Sequence, residues 1–260
     1  MTWKLSAFAD EIGSDPELQF STLENLGVGE IQLRGAWDKN VMELSTSELT
    51  ELKSIASSHG LGFHGIGSPL GKLNISEDVQ ISIDGVRTAA AAAHAVGATR
   101  VRVFSFYYDS GVCPESIRTQ VIDRLGSMLE VAEQSGVTLI HENEKDIYGD
   151  TGDRCLDLAV NLPALGHCFD FSNFVQCDED TLECWNKLRD YVVYFDVKDA
   201  IAGSGVVCRQ VRATVGSWRY SATRSAADMM IASTSSRIFR PVGSSEVQLH
   251  FSYSKLRLTR

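Results

Sequence analysis

Residues 82–106 read SIDGVRTAAAAAHAVGATRVRVFSF, and this stretch holds the unit from which the fold follows. Small and apolar side chains recur along residues 82–96 at helical spacing, Gly97 stands where a left-handed residue ends a helix, and Arg100–Phe106 is a β-branched, apolar run that predicts a strand. The same order returns at Gly27, Gly60 and Gly136, with a period of about 35 residues. Strands are predicted at Trp3–Ala9, Glu30–Leu33, Leu61–Ile66, Arg100–Phe106, Val137–His141, Leu165–Phe169 and Val192–Val197. Helices are predicted at Pro16–Leu26, Ser47–Ser58, Ser82–Val96, Glu115–Gln134, Thr151–Val160 and Asp180–Arg189. Strand then helix, iterated with right-handed crossovers, gives a parallel sheet. Seven units exceed most open sheets and fall one short of a closed (β/α)8 TIM barrel, a fold of about 250 residues, and the chain has 260. A doubly wound open sheet is the alternative, but the glycine-rich phosphate loop it would want after a strand is missing.

With 43% hydrophobic and 22% charged residues, the chain can bury a substantial core. No apolar run is long enough to cross a bilayer, and the opening Met-Thr-Trp-Lys-Leu-Ser lacks a signal-peptide core, so a cytoplasmic location is expected. Six cysteines, at 113, 155, 168, 177, 184 and 208, contain no C-x-x-C pair and read as reduced thiols rather than a disulfide framework or zinc ribbon. The net charge of −10 argues against nucleic-acid or membrane partners. That charge is uneven. Residues 1–203 carry 32 acids and 15 bases (net −17), whereas residues 204–260 carry 2 acids and 9 bases (net +7), so the chain changes character near Gly203.

In a barrel the functional side chains sit where strands end, at the C-terminal rim. Three strand ends present a carboxylate: Glu142, Asp170 and Asp196. Carboxylates gathered at one rim repel one another unless a cation neutralises them, so a shared divalent metal (Mn, Mg or Zn) is the economical reading. The plain alternative for each acid alone is a helix N-cap or a solvated loop residue. His64, Lys72 and Arg34 either meet a substrate hydroxyl or phosphate or have an ordinary structural role, and Trp37, Phe106 and Tyr107 either stack on a sugar or cover the barrel mouth. Strand alternation turns His141 away from the face of Glu142, which favours a packed, hydrogen-bonded role over a proton shuttle.

Five segments then carry a resemblance: Phe8-Ala9-Asp10-Glu11-Ile12, Gly67-Ser68-Pro69-x-Gly71-Lys72, Glu142-Asn143-Glu144-Lys145-x-x-Tyr148-Gly149-Asp150-Thr151, Phe169-Asp170-x-x-Asn173-Phe174 and Val197-Lys198-Asp199-Ala200. In order and at strand ends, they resemble the sugar phosphate isomerases and epimerases of the xylose-isomerase-like barrel superfamily, over residues 4–207. The resemblance implies one metal ion held by Glu, Asp, His and Glu from strands five to eight, and proton transfer next to a carbonyl through a metal-stabilised enediolate. It puts Glu142 at the strand-five position, as ligand and acid/base, with Glu144 the alternative, and Asp170 at strand six. At strand seven Asp196 stands where the family has histidine. Arg34, His64, Ser68, Lys72, Glu144, Asn173 and Lys198 are the implied substrate contacts, the substrate being a small sugar or sugar phosphate.

After Val207 the family's glycine-rich loop and eighth strand are not legible. Residues 208–260 read as a divergent or frame-shifted C-terminal segment appended to a 1–207 barrel core, and neighbouring-frame codons can be chosen that restore a Gly-x-Gly-Asp-Gly rhythm. Glu246–Phe251 is the one stretch there that reads as a makeshift strand, and without an eighth strand the barrel would keep open edges and pair with another chain, so a homo-oligomer is possible. Three functions remain open: a metal-dependent sugar isomerase or epimerase, a lyase or dehydratase (including C-glycoside cleavage) on the same barrel, and an inactive barrel or interaction subunit.

Overall fold

The computed structural model describes residues 4–197, 199–201, 206–208 and 248–252. Eight parallel strands close into a barrel: β1 (Lys4–Phe8), β2 (Glu30–Leu33), β3 (Gly62–Ile66), β4 (Arg100–Val103), β5 (Thr138–Glu142), β6 (Gly166–Asp170), β7 (Val192–Val197) and β8 (Gln248–Ser252). The helices are α1 (Pro16–Asn25), α2 (Thr46–Ser58), α3 (Val79–Val96), α4 (Pro114–Gln134), α5 (Gly152–Asn161), α6 (Phe171–Gln176) and α7 (Thr181–Leu188). Each of Gly27, Gly60, Gly97 and Gly136 has positive φ, the conformation expected of them as helix stops. Among the described residues no helix is long and apolar enough to cross a membrane, and Cys113, Cys155, Cys168, Cys177 and Cys184 are free thiols.

Two expectations change. The barrel has no open edge: Gln248–Ser252 pairs along Lys4–Phe8 on one side, and Gln248–Phe251 pairs with Tyr194–Val197 on the other. The unsatisfied N–H and C=O groups of β1 and β7 are a template for any extended segment, and the makeshift strand fills it. Outside the described residues lie Lys198, Glu246 and nearly all of 208–260, and with them the frame-shift reading. The second change is that the segment after Asp170 is helix α6, because Asp170 caps it: its Oδ1 accepts from Asn173 N at 2.9 Å.

Alternation divides the strands between two interiors. Ile31, Leu33, Ile66, Val101 and Leu139 join Val86, Ala89, Leu125 and Met128 of the helices in the main core. Ile140, Cys168 and Tyr194 form a separate buried cluster on the strand face that also carries Glu142, Asp170 and Asp196. His141 belongs to the other face. It is fully buried, its Nε2 lies 3.0 Å from Ser105 Oγ, and its ring meets His167 edge-on at 5.6 Å.

This histidine pair has a measurable consequence. Burial pushes the His167 imidazole down to about 4, and burial, then the neighbouring His167, holds His141 well below 6.5. Below pH 6.5 the unfolded chain takes up protons that the folded chain refuses, so stability falls as the pH drops. The expected loss from His167 alone is roughly 3 kcal/mol by pH 4. Urea melts between pH 7 and pH 4 should show that slope, and His167→Asn should flatten it by the same amount; an unaltered slope would mean that another group is responsible.

Candidate metal centre

Glu142 ends β5, Asp170 ends β6 and Asp196 is the penultimate residue of β7. The strands are adjacent, with Asp170 in register with Asp196 and Glu142 in register with Cys168. One oxygen from each carboxylate lies within 4.8 Å of the others, and all three side chains are buried. The acids therefore share one small volume inside the barrel mouth.

The sequence next to them fixes their positions. Asn143 Nδ2 donates to Asp170 O at 2.9 Å while its Oδ1 accepts from Asp170 N at 2.8 Å. One side-chain amide thus pairs with the backbone of β6 as another strand residue would. Asn173 Nδ2 in turn donates to Asn143 O at 2.8 Å. Both asparagines are buried, so three mutually satisfied polar groups hold the ends of β5 and β6 at a set separation. Asp170 is at once an N-cap and a member of the acid cluster; the two roles are not exclusive.

One cation at this site lies outside the strand-end pattern. Arg102, on β4, sends Nη1 to Glu142 Oε2 at 3.1 Å and is itself buried. Burial works against its charge, and the Glu142 and Asp196 carboxylates nonetheless hold its pKa above the ordinary arginine value. Among the described residues, three carboxylates against one guanidinium leave two negative charges, which one divalent cation would neutralise. The donors offered are carboxylate oxygens, which suit Mg2+ or Mn2+ and are also found on Zn2+. On donor chemistry and on charge, these residues fit a divalent ion.

The other predicted residues fall in two zones. At the rim, Lys72 Nζ donates to Glu144 Oε2 at 2.7 Å and lies 4.3 Å from the Phe104 ring centroid, so the carboxylate gathered with Asp170 and Asp196 is that of Glu142 and not that of Glu144. Arg34 Nε donates to Asp10 Oδ2 at 2.7 Å, with Glu11 Oε1 3.4 Å from Nη2, beside a cleft of about 490 Å³ bordered by Asp10, Arg34, Asp38 and Lys39. Deeper, His64 is buried within the barrel, edge-on to Tyr194 at 5.1 Å, with Arg100 Nη1 3.2 Å from its Nδ1. The Ser68 hydroxyl donates to Arg102 O and accepts from Leu70 N. Phe106 is fully buried at φ 69°, with the Arg124 guanidinium over its ring, so it belongs to the main core. Trp37, at φ 53°, occupies the tight turn between Gly35–Ala36 and Lys39–Asn40.

A family model described as "Xylose isomerase-like TIM barrel" matches residues 20–219. The chain belongs to that family. No curated protein matches it by sequence, but solved structures with the xylose isomerase-like fold superpose along nearly its whole length. A xylose isomerase-like TIM-barrel protein from Mycobacterium smegmatis in complex with magnesium is 17% identical, with TM-score 0.68, covering 96% of this chain and 90% of that one. The probable 3-DHS dehydratase AsbF from Bacillus anthracis is 15% identical, with TM-score 0.69, covering 96% and 92%. The D-psicose 3-epimerase from Clostridium cellulolyticum H10, solved with D-tagatose, is 12% identical, with TM-score 0.67, covering 95% and 84%. At these identities the likeness concerns the fold. An epimerase and a probable dehydratase thus share this fold, and the fold alone does not select the chemistry of this chain.

Proposed function

We propose that this family member is a divalent-metal-dependent isomerase or epimerase of a small sugar or sugar phosphate. The observation that carries the reading is the convergence of Glu142, Asp170 and Asp196, all buried, with an oxygen of each within 4.8 Å of the others. These three would hold the ion, which when bound supplies a positive charge to the oxygen that becomes negative as a proton leaves the carbon next to a carbonyl. Glu142 is the proposed acid/base, because its carboxylate is at the end of β5 and is held in place by Arg102. Asp170 is kept from moving by Asn143 and Asn173. Arg34, Lys72, Glu144, Asn173 and Lys198 are proposed to meet substrate hydroxyls or a phosphate, while His64 and Ser68, engaged within the barrel, shape the floor on which the substrate rests.

A second reading is dehydration, favoured by the likeness to a probable dehydratase, since it too begins with proton removal next to a carbonyl. Mn2+-reconstituted protein offered ketohexoses and a 3-keto-glycoside separates the two by product: an epimer or isomer in one case, an elimination product in the other. Chelation is expected to remove either activity and Mn2+ to restore it. Turnover that survives exhaustive chelation would end the metal-dependent reading. Reconstituted protein holding less than about 0.2 metal ion per chain would point instead to an inactive barrel.

A further inference from the structure

Arg102 is assigned by neither the strand-end motifs nor the family match, yet among the described residues it is a buried cation bonded to a member of the acid cluster. Its guanidinium is anchored in every direction. Nε donates to Ser68 O at 3.3 Å, Nη2 to Gly67 O at 3.1 Å and Nη1 to Glu142 Oε2 at 3.1 Å. The rings of Phe8 and Phe104 flank it, with centroids 5.0 and 4.9 Å from Cζ. Only 7% of the residue is exposed. Arg34 and Lys72 lie against the same two rings, but their side chains are about a third exposed and their carboxylate partners, Asp10 and Glu144, stand outside the cluster. Solvent screens those two pairs; it does not screen Arg102.

We infer that Arg102 is the fixed counter-charge of the metal centre: it stabilises the ion-free barrel and holds down the affinity for a divalent cation. The inference rests on the metal-binding reading above. Without an ion, three buried carboxylates repel one another, and the guanidinium offsets one of those charges at a cost in desolvation that its hydrogen bonds and ring contacts repay. A divalent ion would offset the charge that these described residues leave, but it must settle near a positive charge that cannot swing away, because two backbone carbonyls and two rings hold it. Low dielectric makes that repulsion larger than at the rim.

The test measures Mn2+ affinity by competition with a chelating dye, and melting temperature with and without Mn2+, for wild type, Arg102→Gln and Arg102→Lys. Arg102→Gln should bind Mn2+ on the order of tenfold more tightly, melt lower without the ion, and gain more from its addition. Arg102→Lys keeps the charge but loses the planar fork, and should stay within about threefold of wild-type affinity. Equal or weaker binding by Arg102→Gln, with wild type binding normally, would overturn the inference and leave the metal reading intact. If Arg102→Gln does not fold alone, refolding with Mn2+ decides: rescue supports the counter-charge, and no rescue overturns it. A wild-type chain that takes up no Mn2+ sinks both readings together.

Discussion

Glu142→Gln is expected to lower turnover by at least about 1,000-fold and to weaken Mn2+ binding, while Glu144→Gln, at a proposed substrate contact, leaves kcat and Mn2+ binding within about fivefold of wild type and shows its effect in KM. The difference follows from where the two carboxylates are. Glu142 is buried with Asp170 and Asp196 and is bonded to Arg102, so the amide removes a ligand charge, the proposed acid/base, and the partner of a buried guanidinium. Glu144 is at the rim, paired with a partly exposed Lys72. Loss of the Arg102 partner has its own signature, since stripping one member from a buried ion pair costs about 3–5 kcal/mol. Glu142→Gln should therefore melt well below wild type even without metal. Steady-state kinetics, Mn2+ titration and thermal melts check the three effects separately. If Glu144→Gln is the variant that abolishes turnover, the acid/base assignment is wrong.

Gly71→Ala should destabilise the protein by about 3 kcal/mol or more. Gly71 has φ 86°, and a Cβ there would lie 2.0 Å from Phe104 O and 2.6 Å from Phe104 C. Both atoms are backbone, so no side chain can turn aside. The contact also belongs to a continuous run of bonds: Phe104 N donates to Leu70 O at 2.7 Å, Phe106 N to Gly71 O at 3.0 Å, and Tyr107 N to Leu73 O at 3.0 Å. Through them the loop after β3 is carried alongside the chain after β4, and Phe104 is the residue whose ring lies against Arg102 and Lys72. Pushing that backbone away should loosen Mn2+ binding as well as the fold. Gly60→Ala is the control: its φ is 69°, but no atom lies within 4 Å of the added Cβ, so only the left-handed strain of about 1 kcal/mol applies. Urea unfolding of both variants gives the comparison, and a Gly71→Ala chain within about 1 kcal/mol of wild type would contradict the clash.

The barrel was legible because its punctuation is chemical. Glycine ends a helix by a conformation other residues resist, so Gly27, Gly60, Gly97 and Gly136 marked four helix ends correctly. Acids at strand ends were legible for a similar reason, since strand and loop chemistry differ. Arg102 was not. In Arg100-Val101-Arg102-Val103 the arginines alternate with valines, a pattern that on an ordinary strand means a solvated face; only closure of the sheet turns that face inward and brings β4 beside β5. Helix α6 was missed because Phe171–Gln176 is too short to show a period, although Asp170 followed by Asn173 carried the capping signal. The role of Asn143 was hidden because an amide that pairs with a neighbouring strand's backbone has no sequence pattern of its own.

The register of β8 bears on how the molecule assembles. Lys4 pairs with Gln248 and Phe8 with Ser252, so the first strand completes its second edge only when a segment from beyond position 247 arrives. Joining parts of a chain so remote in order carries a large entropic penalty and comes late in folding. Seven strands can collapse on local connections first, leaving a transient species with one seam unsealed, and a slow kinetic phase should report its sealing.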